Sequence, residues 1–294
     1  MKHVTSKWPH QDSIKVEWNL GKRCNLDCAY CPAEIHDNFS PHTDIEILKR
    51  TVDQLAKLSK PVRISLTGGE PCVHPKIEEL LTYARSKVSW INVTTNGSRK
   101  AEWYAIQPVS HYVFSLHFDN KSVERMLTNI IQFSHISDIP CHVNVMAHHE
   151  HMEAVKDAAL MLGATNVPHV IRRIRWTEKH DRFDDLKYKH EDLKWIMSHD
   201  ATAKPNVLID GFEEAHANDI IKEHRNQFKG WSCAAGVESL MINWDGEVHR
   251  ATCRVGGSLG NIYTGTFEQP KENVICTRQW CTCAADIPLT KTQS

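Results

Sequence analysis

The chain lacks several features that would assign it to a broad class of protein. No apolar run approaches the roughly 20 residues of a membrane helix, and the N-terminus has no apolar signal-peptide core. The formal net charge is −1, so no bulk electrostatic field favours nucleic acid or a membrane surface. Internal repeats, low-complexity tracts and basic, aromatic stripes are also missing. These absences predict a protein with neither nucleic acid nor membrane as a partner.

Cysteine, by contrast, is abundant. A disulfide framework is the competing explanation for ten cysteines in 294 residues, but eight of them fall in two groups, one toward each end. Grouped thiolates are soft ligands that select zinc or an iron–sulfur cluster. Thiols that must stay available to iron favour a reducing compartment, so we expect a cytoplasmic protein. A chain of this length can bury a full core and form one large and one small domain.

The N-terminal group lies in residues 24–31 (CNLDCAYC), with cysteines at offsets of four and three. A structural zinc site needs four ligands, whereas three cysteines suit a [4Fe–4S] cluster with one iron open. A second signal is residues 67–71 (TGGEP), which follow a short apolar run. In this order the two motifs resemble the CxxxCxxC and GGEP motifs of the radical S-adenosylmethionine (SAM) enzymes. A zinc knuckle or unrelated buried cysteines are the alternative.

The resemblance implies a chemistry for this end of the chain. Cys24, Cys28 and Cys31 would bind the [4Fe–4S] cluster, and its open iron would be chelated by the amino and carboxylate groups of SAM. Once reduced, by flavodoxin or ferredoxin for example, such a cluster cleaves SAM to methionine and a 5′-deoxyadenosyl radical. The partners expected are therefore a reductant and a small-molecule or peptide substrate.

The same resemblance implies a set of SAM contacts. Glu70 would accept a hydrogen bond from the SAM amine, and two glycines before it would permit close backbone approach. Arg172 is the candidate partner of the SAM carboxylate, because arginine binds carboxylates in a bidentate fork. Asn144 alternates with apolar neighbours and would reach the ribose, or else form a structural hydrogen bond. The full set of expected contacts is Tyr30, Gly68, Gly69, Glu70, Asn96, Ser115, Asn144 and Arg172.

Alternation of strand and helix patterns predicts the fold. We expect strands at 14–18, 62–66, 90–94, 111–117, 141–146 and 170–176, with helices between them at 44–58, from 75, at 101–106, 121–135 and 151–162. Such alternation favours parallel strands with right-handed crossovers. Six units match the partial (β/α)6 TIM-like barrel of the family, an α/β fold. Each motif follows a strand, where barrel enzymes build their active sites.

Outside the barrel the patterns are weaker. Residues 1–12 are polar without periodicity and are expected to form a loose arm. Residues 177–230 are charged, with helices expected near 190–199 and 212–228, and would connect two domains. The predicted division is a radical SAM barrel at 1–176, a helical connecting segment at 177–230 and a small C-terminal domain at 231–294.

The C-terminal domain carries the second cysteine group. A hairpin is expected at 238–250 around Asp245-Gly246, with one cysteine before it and four after it. This arrangement resembles the Twitch domain, the short form of the SPASM extension, which binds a second, auxiliary [4Fe–4S] cluster. The candidate ligands are Cys233, Cys253, Cys276, Cys281 and Cys283. Which two of the last three bind is left open, and a structural zinc site is the alternative.

Two further cysteines and three histidines are given no specific catalytic or metal-binding role. Cys72 and Cys141 are expected to be small buried side chains. His117, His148 and His149 lie on loops at the predicted barrel top, where they form a polar rim or contact a substrate.

The function hypothesis follows from the cofactors. We expect a radical SAM oxidoreductase that abstracts a hydrogen atom from a small polar metabolite or peptide and oxidises it. Radical epimerisation with a cysteine hydrogen donor, or modification of a ribosomal peptide, is the alternative reaction. An iron–sulfur electron carrier is the non-enzyme alternative, but a carrier has no use for a SAM amine pocket. No catalytic side chain and no particular substrate can be assigned from the sequence.

Overall fold

The computed structural model describes residues 1–7, 12–174, 187–199 and 201–293. Its N-terminal part alternates strands and helices as the sequence predicts. The strands are β1 His3–Ser6, β2 Ile14–Asn19, β3 Val62–Thr67, β4 Trp90–Thr95, β5 His111–Leu116, β6 Cys141–Ala147 and β7 His169–Arg173. The helices are α1 Ile45–Leu55, α2 Ile77–Arg85, α3 Ala101–Ala105, α4 Val123–Ile136 and α5 Met152–Ala164, with a 3₁₀ turn at Pro71–Val73.

The later elements are shorter. They are α6 His190–Ser198, β8 Val207–Ile209, β9 Glu213–Ala215, α7 Ala217–Lys222, β10 Ser232–Cys233 and β11 Ser239–Ile242. The last four are β12 Glu247–His249, β13 Ser258–Asn261, β14 Val274–Ile275 and β15 Lys291–Thr292. The helix predicted at 190–199 and the hairpin around Asp245-Gly246 are both confirmed.

A nine-stranded sheet forms the main body, in the order β13-β12-β11-β2-β3-β4-β5-β6-β7. The six strands β2 to β7 are all parallel to their neighbours. β11 from the C-terminal part adds to the free edge of β2, also in parallel. The α/β class and the partial TIM-like barrel are therefore confirmed, although the end of the predicted strand at 175–176 lies outside the described residues.

Strand alternation separates an apolar outer face from a polar inner face. On β3, Val62, Ile64 and Leu66 are buried in the core that packs under the helices. The residues between them point the other way, as the hydrogen bond from Asn92 Nδ2 to Ser65 Oγ across β4 and β3 shows. Because side chains alternate along a strand, the polar positions of each strand line the inside of the barrel.

A second sheet has six strands in the order β14-β10-β15-β1-β8-β9. It shows that the prediction of a loose arm at residues 1–12 is wrong in part, because strand β1 (His3–Ser6) pairs with both β15 and β8. Val4 is fully buried there. A four-residue strand is too short to produce a periodic pattern, so backbone pairing with distant segments decides its structure.

The helix predicted at 212–228 is also wrong over much of its length. Residues 213–215 form β9, and α7 covers only Ala217–Lys222. The reason is the turn Asp210-Gly211, in which both residues have positive φ, at 51° and 85°. Such turns join the strands of tight hairpins, here β8 and β9. The division of the chain into domains at residues 176 and 230 stays a prediction. The second sheet contains strands from all three of the predicted segments.

Candidate iron–sulfur and cofactor sites

The first cysteine group lies on the loop after β2, at the carboxyl end of the parallel strands. Cys31 N donates to Cys28 O at 3.0 Å and closes a tight turn, and Leu26 N donates to Cys24 Sγ at 3.4 Å. Burial raises the pKa of the Cys24 thiol to about 12. A hydrogen bond between the Cys28 and Cys31 thiols raises the pKa of Cys28 and lowers that of Cys31. Iron must therefore displace the protons of Cys24 and Cys28 to bind these two groups as thiolates.

The glycines of the TGGEP segment pack against the start of this cysteine loop. Gly69 N donates to Gly21 O and Glu70 N to Arg23 O, both at 2.9 Å. A Cβ at Gly69 would lie 2.2 Å from Lys22 O, and a Cβ at Gly68 would lie 2.5 Å from Gly21 O. These glycines thus allow the TGGEP segment to lie directly against the backbone of residues 21–23.

Glu70 connects three loops at this edge of the barrel. Its buried carboxylate accepts from Cys72 N and Thr95 Oγ1 at 2.8 Å, and from Asn96 N at 2.7 Å. Asn96 Nδ2 in turn donates to Asn25 Oδ1 at 2.8 Å, beside Cys24. Burial raises the pKa of Glu70, against these hydrogen bonds. The SAM-amine contact expected of Glu70 stays a prediction, and its structural role was not foreseen.

Tyr30 lies between the cysteine loop and the ends of β5 and β6. It packs with Cys28 and Ile174, and its hydroxyl hydrogen-bonds with His117 Nδ1. Burial lowers the pKa of His117 to about 4, so this ring is neutral at pH 7. The ring of His148 lies 5.9 Å from that of Tyr30. The SAM contact expected of Tyr30 stays a prediction.

Three of the other expected SAM contacts share the inner face. Ser115 on β5 pairs in register with Asn144 on β6. Asn144 pairs with Val170 on β7, two positions before Arg172. Within the described residues Asn144 Oδ1 is buried without a hydrogen-bond partner, as a contact awaiting a ligand would be. The assignments to SAM stay predictions.

The inner face also carries a polar row that the sequence analysis missed. Asn92 Nδ2 donates to Ser65 Oγ at 2.9 Å, and Asn92 Oδ1 lies 2.8 Å from His111 Nδ1. Because that amide oxygen can only accept, His111 carries its proton on Nδ1 and offers Nε2 to His142 Nδ1 at 3.5 Å. Polar residues at alternate positions of apolar strands were the available signal.

The second cysteine group surrounds a small cavity. The cysteines lining it are Cys233, Cys253, Cys276 and Cys281, and Arg278, Asp286 and Lys291 also line it. Cys283 is not among the lining residues, and its thiol interacts electrostatically with Lys15 on β2. The backbone positions these cysteines: Cys276 N donates to Trp231 O and Cys281 N to Asn226 O, both at 2.8 Å.

A separate group of metal-ligating side chains lies on the loop after β6. Across the described ranges, the one group of three such side chains with ligand atoms within 4.8 Å of one another is His148, Glu150 and His151. His148 is buried, and the other two are exposed to solvent.

Comparison with protein families then identifies the class. Residues 18–162 match the radical SAM superfamily, so this part of the chain is a radical SAM domain. The family uses SAM and a [4Fe–4S] cluster, which agrees with the motif at residues 24–31. In the part of the chain that the structure covers, no helix has both the length and the apolar character needed to cross a membrane.

Individual relatives match to different extents. The subtilosin biosynthesis protein AlbA of Bacillus subtilis is 25% identical over 293 residues, covering 91% of this chain and 61% of AlbA. Fe-coproporphyrin III synthase of Methanosarcina barkeri is 39% identical over 84 residues, covering 28% of this chain and 21% of the synthase. The chain thus spans less than two thirds of either relative. The solved structure of anSMEcpe with AdoMet and a peptide shares the fold, with TM-score 0.58 and 14% identity over 86% of this chain and 79% of that one.

Proposed function

We propose that this chain cleaves SAM at the cluster held by Cys24, Cys28 and Cys31, and that the resulting radical abstracts hydrogen from a peptide. The proposal is supported by the way Glu70 and Asn96 connect the cysteine loop to the barrel edge. The loops expected to bind cluster and cofactor are thereby fixed relative to each other before either ligand arrives. A reductant such as flavodoxin or ferredoxin would supply the electron for SAM cleavage.

The observation that carries the reaction type is the cavity lined by Cys233, Cys253, Cys276 and Cys281. An auxiliary [4Fe–4S] cluster held by these four cysteines would have no iron open to the substrate and would be suited to electron transfer. We therefore favour oxidation, in which the substrate loses a hydrogen atom to the deoxyadenosyl radical and then one electron and one proton. The electron would pass to the cluster held by the four cysteines, and the proton would leave to solvent.

The substrate class rests on a relative that matches most of this chain. AlbA takes part in the biosynthesis of a bacteriocin, and its match covers 91% of this chain. A peptide is accordingly the preferred substrate, and a small polar metabolite is the second candidate.

Epimerisation is the competing reaction. It requires a thiol that returns a hydrogen atom to the substrate radical. Cys72 is a poor donor, since it is 1% exposed and packed in the barrel core. Cys283 lies outside the cavity lining and is the remaining candidate.

Turnover in deuterated water separates the two reactions. The reconstituted protein is incubated anaerobically with SAM, dithionite and a panel of peptides, and deoxyadenosine and product mass are measured. Oxidation predicts a product lighter by two hydrogens, without deuterium on the reacting carbon. Solvent deuterium in a product of unchanged composition, lost in Cys283→Ala while deoxyadenosine still forms, would replace oxidation by epimerisation. Cys141→Ala is the matched control, because Cys141 starts β6 and is remote in sequence from both groups.

A further inference from the structure

Lys291 is a buried cation beside the second cysteine group. Its side chain is 2% exposed. It is the first residue of β15, where strand pairing places it directly opposite Cys233 on β10. It also lines the same cavity as the four cysteines.

The hydrogen bonds of Lys291 are all to neutral acceptors. Its Nζ donates to the carbonyl oxygens of Asp286 at 2.6 Å, Ile287 at 3.0 Å and Leu289 at 3.1 Å. The ammonium also lies 5.1 Å from the centre of the Phe228 ring. Within the described residues no carboxylate oxygen lies within 4.0 Å of this nitrogen. Buried charges are normally paired, so the arrangement calls for an anion nearby.

Two other charged side chains line the cavity, Asp286 and Arg278. Asp286 is buried, and its Oδ2 accepts from Cys253 N at 3.2 Å. The guanidinium of Arg278 donates to Cys253 O at 2.9 and 3.1 Å, but this side chain is exposed to solvent. Lys291 is therefore a buried cation that lines this cavity and whose charge acts on the thiols of Cys233 and Cys281. Asp286 is the buried acid of the same cavity, and the charges of both Lys291 and Lys15 act on it.

We infer that Lys291 is the counter-charge of the auxiliary cluster and raises the reduction potential of that cluster. This inference rests on the proposed auxiliary cluster. A four-thiolate [4Fe–4S] cluster is anionic and gains a further negative charge on reduction. A fixed cation in a poorly screened interior stabilises the reduced form more than the oxidised form. A higher potential would in turn make the cluster a better acceptor for the electron of a substrate radical.

The test is a potentiometric titration of the auxiliary cluster, followed by electron paramagnetic resonance. Cys24→Ala, Cys28→Ala and Cys31→Ala in the full chain remove the signal of the first cluster. On this background Lys291→Gln removes the charge but keeps amide donors for the three carbonyls. Lys291→Arg keeps the charge. Lys271→Gln is the matched control, because Lys271 is exposed in the same C-terminal region.

The expected result is a lower potential in Lys291→Gln, with Lys291→Arg and Lys271→Gln close to the parent. Full cluster loading with an unchanged potential in Lys291→Gln would overturn the inference. If Lys291→Gln cannot be loaded, Asp286→Asn decides, because removing the opposing buried acid must then raise the potential, and no change rejects the idea. Absence of iron from the parent triple variant would instead reject the auxiliary cluster itself, so the two failures are distinguishable.

Discussion

Two histidines inside the barrel illustrate how burial sets the chemistry of single residues. His111 and His142 lie on neighbouring parallel strands, with ring centres 5.1 Å apart. Burial lowers the pKa of His111 from 6.5 to about 4. Burial and the neighbouring His111 lower the pKa of His142 from 6.5 to about 3. Both rings are therefore neutral at pH 7 and serve as hydrogen-bonding groups.

This pair predicts a loss of stability in mild acid. Because the folded-state pKa values lie below the unfolded value of 6.5, their contribution is complete above pH 6.5 and is lost as the pH falls toward 4. Because the unfolded chain takes up a proton at each histidine and the folded chain does not, each ring should lower the free energy of unfolding by about 2 kcal/mol between pH 7 and pH 5. Urea unfolding of the cluster-loaded protein, followed by circular dichroism at both pH values, measures this loss.

The matched comparison is the double variant His111→Gln/His142→Gln against His135→Gln, in which the replaced residue is exposed on α4. The double variant should lose much less stability than the parent between pH 7 and pH 5, whereas His135→Gln should behave as the parent. If the free energy of unfolding changed equally with pH in all three proteins, protonation of these two rings would not be the cause of the loss of stability.

At the scale of elements, the junction of the TGGEP segment with the cysteine loop is the part most sensitive to small changes. Gly69 lies where any side chain would collide with backbone oxygens of residues 22 and 23, at 2.2 and 2.3 Å. Backbone oxygens cannot move aside as a flexible side chain can. A substitution here must displace the loop that carries Cys24.

Gly69→Ala should therefore lower the iron content of the N-terminal site and spare the C-terminal one. We expect iron to fall from about eight toward about four per chain, with SAM cleavage reduced at least ten-fold. Gly163→Ala in α5 is the control, since a Cβ there meets nothing within 4 Å. Full iron content and parental deoxyadenosine formation in Gly69→Ala would show that the loop tolerates the displacement.

The barrel elements were predictable because their signals are local. Strands β2 to β6 each carry an apolar alternation that predicts their position, and the two motifs predict which ends of the strands face the cofactor. In β7 the alternation is absent, because four of its five residues are buried. β1 was missed because pairing with segments 200 or more residues away decides its structure. β9 was missed because the tight turn at Asp210-Gly211, rather than a periodic pattern, pairs it with β8. The row from Ser65 to His142 was missed because its members come from four strands, and only the register brings them together.

At the scale of the whole molecule, the two ends of the chain meet in the second sheet. β1 lies between β15 and β8, and β15 also pairs with β10, which carries Cys233. β11 meanwhile extends the barrel sheet at β2. The C-terminal cysteines are thus connected to the barrel by backbone pairing on both sheets, an arrangement that suits electron transfer between fixed sites.

The central claim is that one chain holds two iron–sulfur clusters, and iron and sulfide counting after anaerobic reconstitution tests it most directly. The account predicts about eight irons and eight sulfides per chain, falling to about four of each when Cys24, Cys28 and Cys31 are replaced by alanine. That variant should form no deoxyadenosine from SAM. About four irons in the parent, or zinc in place of iron at the C-terminal cysteines, would contradict the auxiliary cluster, and SAM cleavage that survives the triple replacement would contradict the first.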